Sequence, residues 1–89
     1  MTHYCKLKIK INELDFLEFY FSYTISTTIN DLIEFIAYNF PDKHICPCYR
    51  VKAKNKNKEF MELNKYWTFN NSINKYSNFN LYNPNPNKE

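Results

Sequence analysis

Residues 3–43 read HYCKLKIKINELDFLEFYFSYTISTTINDLIEFIAYNFPDK, and the hydrophobic period changes once inside this stretch. From Lys6 to Ile11 polar and apolar residues alternate, so Leu7, Ile9 and Ile11 share one side and three lysines the other. Asn12 to Asp15 supply turn residues. Alternation then resumes, with Phe19, Phe21 and Tyr23 interleaved with Glu18, Tyr20, Ser22 and Thr24. Aromatic and β-branched residues suit a pleated surface, so the two runs predict an antiparallel hairpin with one apolar face.

At Thr28 the period lengthens. Ile29, Leu32, Ile33, Ile36 and Phe40 follow helical spacing along one face. Thr28 can cap the first turn, with Asp31 three residues on completing a capping box. Pro41 ends the helix, because the residue before proline avoids helical dihedrals. The apolar face must be covered, which places the helix on the hairpin.

Beyond the helix, Tyr49, Val51 and Ala53 alternate with Arg50, Lys52 and Lys54 in a third strand. Residues 55–58 (NKNK) read as an exposed turn, and Phe60 and Leu63 as a short returning strand. Residues 64–78 read as irregular, with Trp67, Phe69 and Ile73 filling the core. Residues 79–82 form a last short strand. Residues 1–82 are thus expected to be one α+β domain, and 83–89 a flexible, proline-punctuated polar tail.

The order of hairpin, helix, strand, short strand, plug and strand resembles the β-grasp fold, specifically ubiquitin-like domains. Ile9 and Ile11, the Phe19–Phe21–Tyr23 set, Thr28-Ile29, Leu32 and Ile36 fall at the family's core spacing without a gap. Residues 72–81 (SINKYSNFNL) are similar to its closing segment, with Ile73 as plug and Phe79 and Leu81 in the final strand. The resemblance implies a ββαββ-type mixed sheet packed on one helix, with the first and last strands side by side. Ubiquitin-like modifiers end in two glycines, whereas this chain contains none, so the resemblance implies a non-conjugating module. The positions matching the family's interaction patch are Leu14, Arg50, Asn80 and Tyr82, of which only Leu14 is aliphatic. The outward face gathers Lys8, Lys10, Arg50 and Lys52 beside Tyr82, which points to docking on an acidic protein surface. With Leu14, these six are the candidate partner-binding residues. The expected role is that of a small accessory subunit in a larger protein assembly.

A net charge of +3 also admits RNA as the partner, as for a structural subunit of a ribonucleoprotein. Acidic residues around Glu13 to Glu18 and Asp31 to Glu34 dilute the field and make RNA the second choice.

His44, Cys46 and Cys48 form the sharpest ligand-like pattern, which His3 and Cys5 would have to complete as a zinc site. His3 and Cys5 precede the first expected strand, and Cys48 falls near the opposite end of the sheet. Cys-x-Cys is also tight for a paired knuckle. No metal is assigned. Both cysteines are read instead as small apolar fillers in the loop, with Pro47 stiffening the backbone; a Cys46–Cys48 disulfide would be strained.

No nucleophile, base and orienting group stand together in the sequence, and without glycine there is no phosphate-cradling loop. Neither enzyme activity, a cofactor nor a small-molecule substrate is expected. No run of about 18 apolar residues occurs, so no membrane span is expected. The N-terminus leads into a strand without a signal-peptide pattern. Three cysteines, an odd number, fit a reducing intracellular compartment. The excess of Asn and Lys with so little Ala reflects an AT-rich coding sequence.

Overall fold

The computed structural model describes residues 1–85; the last four, part of the expected tail at 83–89, lie outside the described residues. The elements run β1 (His3–Asn12), β2 (Asp15–Tyr23), α1 (Ile29–Asn39), a 3-10 turn (Pro41–Lys43), β3 (Arg50–Lys54), β4 (Phe60–Glu62), α2 (Phe69–Lys75) and β5 (Ser77–Tyr82). This is a small α+β architecture. Among the described residues, the five strands form one mixed sheet ordered β2-β1-β5-β3-β4.

The β1–β2 hairpin forms as the alternation dictates. Leu7 faces Phe19 and Ile9 faces Leu17 across the pair. Leu7, Ile9, Leu17, Phe21 and Tyr23 are buried, while Lys6, Lys8, Glu18, Tyr20 and Ser22 point to the other side. β1 begins at His3, earlier than its clearest alternation, so His3 and Cys5 are strand residues rather than a leader to the strand.

Thr28 caps α1 in a complete capping box. Its hydroxyl accepts the Asp31 N–H at 3.2 Å, and the Asp31 carboxylate accepts the Thr28 N–H at 2.9 Å. Ile29, Leu32, Ile33 and Ile36 are buried against the sheet. Each contributes about 1.5–3 kcal/mol of gross burial, so the helix is held mainly by this face. Pro41 ends α1 and also opens the 3-10 turn that follows.

Residues 64–78 are not irregular. Thr68 accepts the Asn71 N–H and caps a seven-residue helix, α2. Thr28 and Thr68, each at the start of a helix, are joined by an isolated antiparallel bridge. Carbonyls of the preceding loop complete α1's first turn: Trp67 O accepts the Ile29 N–H at 2.9 Å and Lys65 O the Asn30 N–H at 2.8 Å. Two N–H groups that a helix start leaves without internal partners are satisfied in this way. Phe69 is fully buried, edge-on to Phe21 at 5.0 Å and Tyr23 at 4.8 Å. Trp67 is 44% exposed and stacks beside Tyr76. The core plug is therefore Phe69, not Trp67, because Trp67 precedes the cap and sits in the loop whose carbonyls bond to the start of α1.

With no glycine available, three other residues among those described take left-handed dihedrals: His44, Lys58 and Asn78, at φ 57°, 64° and 56°. Lys58 closes the β3–β4 turn, where the Asn55 side chain accepts the Asn57 and Glu59 N–H groups. Asn78 lies beside the register shift between β5 and β3, a bulge that re-aims the end of the strand.

Candidate functional site

Both helices lie on the core side of the sheet, so its other face carries the candidate residues. β1 and β5 pair in parallel, with Lys10 opposite Asn80. β3 pairs antiparallel with β5, with Lys52 opposite Asn80 and Arg50 opposite Tyr82. Lys10 and Lys52 therefore flank Asn80 in one row across three strands. Two strand spacings separate their backbones, about 10 Å. The row continues outward to Phe16 on β2 and Glu62 on β4.

Between these groups lies a shallow depression of about 220 Å³ lined by Lys10, Asn12, Glu13, Lys52, Asn80 and Tyr82. Lys8, two residues along β1, lies over the Phe16 ring at 4.7 Å. Lys52 lies 5.1 Å from the Tyr82 ring centroid, and Lys54 5.4 Å from that of Phe60. Each ammonium group rests on an aromatic face, which attracts it through the ring quadrupole and limits where it points.

Of the six expected residues, Lys8, Lys10, Lys52, Arg50 and Tyr82 share this face. Leu14 is apart from the row, at the tip of the β1–β2 turn, and 94% exposed. Arg50 is not an unpaired cation. Its guanidinium donates to the Glu62 carboxylate at 3.0 Å. The Tyr82 hydroxyl donates to the other Glu62 oxygen. The hydrogen bonds from Tyr82 and then Arg50 hold the Glu62 carboxyl below its usual range. Burial first, then the bond to Glu62, pushes the Tyr82 phenol up to about 12. Glu62 thus neutralises the Arg50 end of the face and leaves the lysines as its positive charge.

Lys54, Phe16, Phe60 and Glu62 belong to the face and were not among the expected residues. Lys54 was within reach of the sequence, since it shares the parity of Arg50 and Lys52. Glu62 was not, because its partners come from strands 12 and 20 residues away.

At the His44–Cys48 loop, Cys46 and Cys48 form a disulfide. Cys46 is partly buried, whereas Cys48 is exposed and does not fill the loop as expected. The bonded pair does not define a compartment. Among the described residues, no three His, Cys, Asp or Glu side chains gather in a way that could hold a metal ion. Cys5 is a free thiol, and partial burial raises its pKa. Among the described residues, no helix is long and apolar enough to cross a membrane.

Compared with protein-family models and with curated proteins, the chain matches none.

Proposed function

We propose that this chain is a ubiquitin-like β-grasp domain that performs no chemistry and serves as an accessory subunit, docking an acidic segment of a partner protein on its basic sheet face. Two features support the kinship. The first and last strands lie side by side in parallel, and Ile29, Leu32 and Ile36 are buried on the sheet.

The observation that carries the docking reading is the pair Lys10 and Lys52 on either side of Asn80, above a small depression. A carboxylate seated there can accept from both ammonium groups and from the Asn80 amide, and charge-assisted bonds of this kind are the stronger class. Protein is favoured over RNA by the disposition of the rings. Lysines lie over Phe16, Phe60 and Tyr82, and these are the surfaces on which unstacked bases would otherwise lie.

The test is affinity purification of the tagged protein at low and high salt, with and without nuclease, using wild type and Lys10→Glu/Lys52→Glu. The expected result is a protein partner that resists nuclease, weakens with salt, is lost on charge reversal and is displaced by a glutamate-rich peptide. Unchanged co-purification by the double variant eliminates the basic face as the docking site. Loss of the partner on nuclease treatment replaces it with the RNA reading.

A further inference from the structure

The β2 edge of the sheet has no strand beside it among the described residues. It is nine residues long, from Asp15 to Tyr23, and contains neither lysine nor proline. Natural sheets usually blunt such an edge with those residues, with a bulge, or by keeping it short. The irregularity of this hairpin lies between Lys10 and Asn12 of β1, near the turn, and leaves Leu17 to Tyr23 in continuous register. Both acidic side chains on β2 already have partners within the chain: Asp15 with Lys43 at 3.3 Å and Glu18 with Lys6 at 3.6 Å.

We infer that β2 pairs antiparallel with β2 of a second copy of this chain, about a two-fold axis at Phe19, to give a ten-stranded sheet. An antiparallel self-pairing keeps its faces only if opposed residues share parity, and centring it on Phe19 is the one choice that pairs all nine residues. On the core side Phe19 then meets its symmetry mate and Leu17 meets Phe21. On the outer side Glu18 meets Tyr20 and Phe16 meets Ser22. Centring one residue earlier would set Glu18 directly against itself, which is destabilising. The strand is thus self-complementary in shape and charge, as an isologous contact requires.

The rings beneath the edge favour a second copy over a lone extended peptide. Phe19 lies 5.5 Å from both Phe35 and Phe40, and all three rings are only partly buried. A peptide strand would satisfy the edge N–H and C=O groups but bring no second layer. A second copy brings its own α1, and the two aromatic clusters meet under the axis. A strand about 30 Å long over a sheet and helix layer about 20 Å deep gives a footprint of about 600 Å² per copy. That is the lower end of stable interfaces.

Sedimentation equilibrium over a wide concentration range reads this directly. The wild type is expected to pass from monomer to dimer. Tyr20 is 71% exposed, so changing it spares the monomer core. Tyr20→Glu places like charges opposite Glu18 twice by symmetry and is expected to raise the dissociation constant about fivefold. Tyr20→Lys places opposite charges there and is expected to lower it about threefold. Within the monomer the two changes act in the opposite sense, because Tyr20 pairs with Lys6 on β1; a mere loss of folding therefore cannot imitate the pattern. If one variant fails to fold by circular dichroism, the other still carries the sign. A wild type that stays monomeric throughout, or two variants that shift the equilibrium alike, overturns the inference.

Discussion

Phe69→Ala is the substitution expected to damage this protein most, and its cost follows from the structure. The side chain is fully buried and meets two rings edge-on, Phe21 at 5.0 Å and Tyr23 at 4.8 Å. Removing a buried Phe side chain costs about 3–5 kcal/mol, including the cavity left behind. Two edge-to-face pairs, each worth about 0.5–1.5 kcal/mol, place the cost toward the upper part of that range. A chain of 89 residues has a net stability of about 4–13 kcal/mol, so the loss is a large share of the whole. Phe69→Leu keeps most of the volume, loses the ring pairs, and is expected to cost about 1–2 kcal/mol. Trp67→Ala removes the largest side chain of the segment, yet it is expected to cost about 1 kcal/mol, because that ring is half open to solvent and stacks on Tyr76 alone among the aromatic pairs. Urea unfolding followed by far-UV circular dichroism measures all three. At a slope of about 1 kcal/mol per molar urea, Phe69→Ala lowers the midpoint by about 4–5 M or abolishes the folded baseline. Phe69→Leu remains measurable in either case. A Trp67→Ala loss as large as that of Phe69→Ala, with an unchanged slope, would refute the assignment of Phe69 as the plug.

Thr28→Ala removes the hydroxyl arm of the α1 capping box and is expected to cost about 1 kcal/mol, with Thr28→Ser nearly neutral, both read from urea midpoints. A Tyr82→Phe difference titration followed by tyrosine absorbance is expected to isolate one phenol ionising near 12 rather than 10.0. Because that pKa is raised in the folded chain, its contribution to stability is complete below about 10 and is lost as pH rises toward 12. Glu62 behaves in the opposite sense: its carboxyl is depressed from 4.5, so its contribution is present above that value and fades on acidification below it. Glu62→Gln is expected to bring the Tyr82 phenol back toward its ordinary range, and an unchanged titration would dissolve the proposed coupling.

The hairpin, α1 and β3 were legible in the sequence because their signals are local. A period of two, a period near 3.6, a capping box and a proline stop each act within a few residues. Helix α2 was not legible. Its residues, FNNSINK, are rich in asparagine, a modest helix former, and seven residues cannot sustain a helix alone. It forms because Thr68 caps it and Phe69 anchors it under β2. Trp67 misled by size: a large ring suggests burial, but its position is set by backbone bonds that fasten residues 65 and 67 to the start of α1.

The sequence by itself determined which residues of each strand and of α1 turn inward, since side-chain alternation and helical periodicity follow from covalent geometry. The tertiary structure alone decided which strands are neighbours. Only that adjacency sets Lys10 and Lys52 on either side of Asn80, ties Arg50 and Tyr82 to Glu62, and leaves β2 at the rim. The physical reason is that the period of a strand fixes the face of each side chain and carries no information about its partner across the sheet. That choice depends on the total burial achieved when the whole chain packs on one core.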